Sequence, residues 1–189
     1  MRVFVIDPPE PVLTWDDADA HLKLDGDQTD KVYVEGLIAA ATGHIDGPDG
    51  WLGRALGVQT LEARFSVYES ISKARLPYPP LIALVSASYL DRPGAEQVAD
   101  IADLETYGSD LVPVSGMWPW EGGSLRREAI RVRYKAGYPD GIPAAIRVAI
   151  LMMVGDMYRN RVTTQPGTQS VVPMSTKVED LLARFRVYR

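Results

Sequence analysis

The stretch that decides the fold runs Ala129-Ile-Arg-Val-Arg-Tyr134, Lys135-Ala-Gly-Tyr-Pro-Asp-Gly-Ile-Pro143, then Ala144-Ala-Ile-Arg-Val-Ala-Ile-Leu-Met-Met-Val-Gly-Asp-Met-Tyr-Arg-Asn-Arg161. The first piece alternates apolar and polar residues, the pattern of a half-buried strand. Gly137-Tyr-Pro-Asp-Gly141 turns the chain. Pro143 suits the first position of a helix, where its missing N–H costs nothing. Ile146, Ala149, Ile150, Met153, Val154 and Met157 then recur at three- and four-residue steps, which predicts a central helix to about Arg161. Within a few residues the apolar period changes from two to 3.6, so strand and helix are both present.

Upstream, the two periods separate. Asp7-Pro-Pro-Glu-Pro11 is an extended lead-in, because each proline pushes its predecessor out of the helical region. Thr14 is placed to cap a helix over about Trp15 to Leu24, with Asp17 completing a capping box. After the polar turn Asp25-Gly-Asp-Gln-Thr-Asp30, a second helix is expected from about Lys31 to Ile45. Val58 to Tyr68 and Leu81 to Leu90 read as strands, with weaker candidates at Val98 to Leu104 and Leu111 to Val114. Downstream, Val162 to Pro173 has linker composition, and a short helix over about Thr176 to Phe185 closes the chain. The expectation is an α+β fold, a mainly α-helical bundle interrupted by a β-rich insertion, with a flexible C-terminal tail. Its divisions are N-terminal helices at 1–56, the insertion at 57–137, the central helix at 138–161, and a linker with docking segment at 162–189.

The 189 residues suit one domain with an inserted unit, and 46% hydrophobic content supports a core. The net charge of -5 argues against a surface that binds nucleic acid everywhere. It conceals a gradient: residues 1–50 carry -8, residues 51–125 carry -4, and residues 126–189 carry +7. There is no cysteine, which removes disulfides, zinc–thiolate sites and cysteine nucleophiles. The longest apolar run, Val148 to Val154, is far short of the roughly 20 residues of a membrane span.

No motif carries catalytic chemistry. His21 and His44 have no nucleophile or metal partner at recognisable spacing. Asp25, Asp27, Thr29 and Asp30 begin like a calcium loop, but Gly36 stands where its terminal glutamate belongs. No phosphate-binding glycine loop or nucleophile elbow is present, and nothing selects a pair among the many carboxylates. No cofactor and no metal are expected. Trp118 and Trp120, flanking Pro119, either cover the insertion or form a loop interface for a protein or a sugar. At the C-terminus, Leu181, Leu182, Phe185 and Val187 form an apolar face beside Arg184, Arg186, Tyr188 and Arg189. That segment either docks into a partner or folds back on its own core.

Several pieces together resemble the head–tail connector (adaptor) family of tailed bacteriophages and gene transfer agents. They are Val12-Leu-Thr-Trp-Asp-Asp-Ala-Asp-Ala-His-Leu-Lys-Leu-Asp25, Asp30 to Ile45, Gly53-Arg-Ala-Leu56 before Gln59-Thr60, and Arg75-Leu-Pro-Tyr-Pro-Pro-Leu81. Further pieces are Ile130-Arg-Val-Arg-Tyr-Lys-Ala-Gly-Tyr138, Ile142-Pro-Ala-Ala-Ile-Arg147, Met157-Tyr-Arg-Asn-Arg161 and Leu181-Leu-Ala-Arg-Phe-Arg-Val-Tyr-Arg189. The order spans nearly the whole chain. The resemblance implies a non-enzymatic virion protein at the capsid–tail junction, made in the host cytoplasm. It implies a homo-oligomeric ring, usually twelve-fold, that bridges the portal protein to a downstream tail or stopper protein. DNA passes through its channel without sequence-specific binding, no membrane is involved, and residues 181–189 are the portal-facing segment. The rivals from the residues alone are a carbohydrate- or host-surface-binding module built on Trp118 and Trp120, and a hydrolase using carboxylates that no motif selects.

Overall fold

A computed structural model describes residues 1–69, 74–161 and 175–188. The strands are β1 (Arg2–Asp7), β2 (Gln59–Phe65), β3 (Ala74–Arg75), β4 (Leu81–Leu90), β5 (Glu96–Ala99), β6 (Leu104–Tyr107), β7 (Asp110–Pro113) and β8 (Ile130–Ala136). The helices are α1 (Trp15–Leu22), α2 (Lys31–Ile45), α3 (Ala144–Arg159) and α4 (Thr176–Ala183).

The expected helical bundle with a β insertion is corrected: this is a mixed fold with two antiparallel sheets. A five-stranded sheet has the order β1-β2-β8-β4-β5, and a three-stranded sheet has the order β3-β7-β6. The first sheet starts before the helices do, because β1 pairs with β2 from Arg2 opposite Arg64 to Asp7 opposite Thr60. That strand escaped the pattern reading for a physical reason. As an edge strand it leaves Phe4, Val5 and Ile6 all exposed, so no buried face imposes alternation.

The clean alternation of β8 is real. Ile130, Val132, Tyr134 and Ala136 are buried, while Arg131, Arg133 and Lys135 face outward between β2 and β4. The weaker strand candidate at 98–104 resolves into β5, a 3-10 turn over Ile101–Asp103, and β6.

Two apolar clusters result. One gathers Trp15, Ala18, Val34, Ile38, Ile45, Leu52, Leu56 and the inner face of α3. The other gathers Leu61, Phe65, Leu111, Trp120, Ile130 and Tyr134 beneath the sheets. The helix starts are built as their residues dictate. Thr14 and Asp17 form a reciprocal capping box, with the Asp17 N–H donating to Thr14 Oγ1 and the Thr14 N–H donating to Asp17 Oδ2. Asp30 precedes α2 but makes no side-chain cap there. It accepts instead from the Tyr158 hydroxyl at 2.7 Å and from Arg161, tying α2 to the end of α3.

Residues 46–58 join the clusters. Leu56 lies in the helical one and Ala55 in the β one. The Tyr138 N–H donates to the Leu56 carbonyl at 3.0 Å. Gly57 and Gly137 are in contact across this joint. A Cβ on Gly137, whose φ is +126°, would lie 2.4 Å from the Gly57 oxygen.

The flexible C-terminal tail is corrected as well for its described part. Ser175 caps α4 by accepting from the Val178 N–H, and Val178 and Leu182 are fully buried in the helical cluster against α3. The linker at 162–174 lies outside the described residues.

Candidate interaction surfaces

The C-terminal segment divides into a buried anchor and an exposed fringe. Leu182 has no exposed surface, and Leu181 and Phe185 pack half-buried against the same cluster. Beyond α4 the backbone is latched onto the loop at 51–54. The Val187 N–H donates to the Leu52 carbonyl at 2.9 Å, and the Arg54 side chain donates to the Phe185 carbonyl. Gly53 makes this approach possible. Its φ is +63°, and a Cβ there would lie 2.7 Å from the Val187 oxygen. Arg186 lies between two rings, 4.1 Å from the Trp51 centroid and 4.9 Å from that of Tyr188. Arg184 and Tyr188 remain exposed, Val187 is half-buried, and Arg189 lies outside the described residues.

The aromatic loop is built differently. Trp120 is fully buried, meets Phe65 edge-on at 6.1 Å and stacks on Trp118 at 4.9 Å. Stacking spends one face of Trp118, which is itself half-buried. Edge-to-face and offset-stacked contacts of this kind belong to core packing. The exposed apolar side chains of this loop are Met117 and, just before it, Val114.

The outward face of the five-stranded sheet was not picked out as a site by sequence reasoning. Opposed residues share a face of a sheet, so register places Arg2, Arg64 and Arg131 in one row and Glu62 beside Arg133 in the next. Glu62 is buried at 2% side-chain exposure. It receives Arg133 at 2.6 Å and Arg64 at 2.7 Å. Burial alone would push its carboxyl up, but the bonds from Arg133 and then Arg64 outweigh it and hold the group below its ordinary value. The alternation of β8 pointed to this cationic strand, but the partner arginines on β1 and β2 needed the pairing to be known.

At the joint, the opposite holds for Asp46. Its carboxyl is displaced upward by burial, against the Leu56 N–H at 2.7 Å and the Gln59 amide at 3.2 Å. Beside it, Pro9, Pro11, Leu13, Trp15 and Ile38 line a groove of about 480 Å³ that also touches Glu10 and Glu35.

Among the described residues no group of His, Cys, Asp and Glu could hold a metal ion, and no helix is long and apolar enough to cross a membrane. His21 lies against α3, close to Gly155, and His44 is exposed near the end of α2. The Asp25–Asp30 turn closes on itself, with Asp27 accepting from the Thr29 N–H and hydroxyl. That turn also holds Asp27 below its ordinary value, the hydroxyl bond being the larger cause.

The fold is one seen in gene transfer agent particles. A chain of the virion of a native gene transfer agent particle superposes with a TM-score of 0.75 at 17% identity, over 100% of this chain and 97% of that one. A chain from the neck of an empty particle, computed with C6 symmetry, gives 0.74 at 16% identity over the same shares. A chain from the neck of a native particle, computed with C12 symmetry, gives 0.62 at 16% identity. No protein-family model matches the sequence, and no curated protein does. The match spans the full length, so the likeness in fold extends over the whole described chain rather than over one half of it.

Proposed function

We propose that this chain is a structural subunit of a virion neck, a head–tail connector (adaptor) that forms a ring beneath the portal. The observation that carries the reading is end-to-end likeness to chains of gene transfer agent particles, two of them from necks computed with C6 and C12 symmetry. The surfaces agree with it. They offer charged and aromatic groups suited to protein contact. On this reading the ring joins the portal protein above to a stopper or tail protein below, and DNA passes through its centre without sequence-specific contact. Acidic groups lining such a channel would keep DNA from adhering. The portal-facing elements are those the C-terminal segment leaves outside its latch, Arg184 and Tyr188, with Arg186 and Val187 beside them. The anchors Leu181, Leu182 and Phe185 then hold this edge in place.

A carbohydrate-binding alternative would use Trp118 and Trp120 as a platform. The burial of Trp120 gives it no support.

Co-expression with the portal of the same particle, followed by mass measurement and negative-stain imaging, tests the proposal. Rings seated on the portal are expected. A protein that stays monomeric and ignores the portal overturns it.

A further inference from the structure

The outward face of the five-stranded sheet breaks a rule that strands otherwise keep. Arg2, Arg64 and Arg131 stand side by side on three neighbouring strands, with Arg133 and Lys135 further along β8. Like charges directly opposite destabilise a sheet. Carboxylates answer them only in part. Glu62 is shared by Arg64 and Arg133, Glu128 pairs with Arg2, and Glu96 stands 3.5 Å from Arg131. Lys135 is exposed and makes no ion pair among the described residues. Phe4 and Val98 add exposed apolar surface to the same face, at 37% and 85%. A cationic, partly apolar face that its own chain does not neutralise is the local inconsistency expected where something else binds.

We infer that this sheet face receives the acidic α1–α2 side of a second copy of the chain, and that this is the contact that closes the ring. The inference rests on the ring reading above and names its interface. The complement is in the chain itself. Residues 15–45, which hold α1 and α2, carry seven acidic side chains and two lysines. Asp16, Asp25 and Glu35 are exposed there without an ion pair among the described residues, while Asp17 and Asp30 already hold Arg147 and Arg161. The groove beside Trp15 supplies apolar surface on that side to meet Phe4. Each copy carries one face of each kind, so every contact leaves one of each free. Such head-to-tail pairing propagates to a closed ring and opposes self-paired dimers. Duplex DNA would also suit arginines. A second copy suits them better, because exposed Phe4 and Val98 lie among the cations and call for a partner with apolar surface between its carboxylates, which the phosphate backbone of a duplex does not offer.

The test uses two charge-reversed proteins that leave Glu62 and its arginines untouched. One carries Arg131→Glu and Lys135→Glu, and the other carries Asp16→Lys and Glu35→Lys. Circular dichroism and melting first establish that each folds. Native mass spectrometry and imaging then follow assembly, with portal where the wild type requires it. Each variant alone is expected to lose at least ten-fold in ring yield. An equal mixture is expected to recover rings in which the two alternate, because each reversed face then meets a complementary one. Variants that assemble alone as the wild type does overturn this interface and leave the ring reading standing. Loss in both without recovery in the mixture also overturns it, since the two faces then do not meet. Normal rings with loss of salt-dependent duplex binding in the Arg131/Lys135 variant would make the sheet a DNA face instead. Absence of rings from the wild type with portal present removes the ring reading itself.

Discussion

Residues 181–188 and the loop at 117–120 both carry large apolar groups, beside arginines in the first and a proline in the second, yet they meet the rest of the molecule in opposite ways. The loop commits its main residue wholly. Trp120 is enclosed between Phe65 and Trp118 and is part of what fills the β cluster. The C-terminal segment commits one side only. Leu182 fills the helical cluster, the backbone is latched at Leu52 and Arg54, and Arg184 and Tyr188 are left outside. Aromatic and arginine content therefore does not distinguish an interface from a core. What distinguishes them is how much of each side chain the chain's own packing has already used.

The largest expected effect breaks the loop's side of this contrast. Trp120→Ala should destabilise the fold by about 4 kcal/mol, the cost of an emptied large aromatic site. Chemical denaturation would measure it, and Trp120→Phe should recover part of the loss because it can still meet Phe65. A loss below about 1 kcal/mol, the level of an ordinary surface change, would mean that the loop is a cover and not a core element.

Leu182→Ala should come next, at about 3 kcal/mol. Its character should differ, because α4 is a single short helix at the end of the chain. Local release before global unfolding is the expectation. Trypsin cutting at Arg184 and Arg186 would become faster well below the melting transition, while the far-ultraviolet signal of the two sheets stays native. Cooperative loss of both signals together would make the segment an integral part of one folding unit.

Much of this arrangement was legible in the sequence, and the missing parts share a cause. The capping box at Thr14, the period of α3 and the alternation of β8 are local patterns, so they could be read from residues a few positions apart. The five-stranded sheet is non-local. β1 pairs with a strand nearly sixty residues away, and its own exposed Phe4, Val5 and Ile6 carry no period. The burial of Leu182 is non-local too, since its partners lie on α3 and nothing within residues 176–188 says whether that face meets the same chain or another. The arginine row exists only once register is known. Whether Trp120 and Leu182 meet their own chain or a partner turns in each case on a contact that sequence spacing does not encode.

The contrast extends to the buried carboxylates on either side of the joint. Glu62 lies on the strand that ends at Phe65 and has a carboxyl held below its unfolded value of 4.5. A depressed acid contributes stability that is fully present above the unfolded value and lost as pH falls through the folded one. Asp46 lies beside the loop that latches the C-terminus and is raised above its unfolded 3.8. It contributes in the opposite sense, present below the unfolded value and lost as pH rises through the folded one. Glu62→Gln should therefore cost about 2 kcal/mol at neutral pH, since it leaves Arg64 and Arg133 without their anion, and should flatten the acid limb of stability. Asp46→Asn should keep the acceptor for Leu56, stay within about 1 kcal/mol at neutral pH, and steepen that limb by removing the group that gains on acidification. Urea titrations between roughly pH 6 and pH 3 would show both slopes. Equal slopes in the two variants would mean that their environments are not opposed.

The smallest effect on stability separates the exposed fringe from its anchor. Arg184 and Tyr188 touch little of their own chain. Arg184 lies 4.7 Å from the Phe185 ring centroid, and Tyr188 is 78% exposed while meeting Arg186. Exposed cation–π contacts contribute little, and surface truncations away from core features usually stay within about 0.5 kcal/mol. Arg184→Ala with Tyr188→Ala should therefore leave melting and trypsin resistance as they are. On the proposed reading, the same pair of changes should weaken portal binding at least ten-fold, because arginine and tyrosine are the side chains that interfaces most often use as anchors. Leu182→Ala is the necessary companion, since it should weaken portal binding only as far as it frees the segment. If the double variant binds portal as tightly as the wild type while Leu182→Ala does not, the segment's contribution is to brace the helical cluster, and the portal contact lies on another face of the subunit.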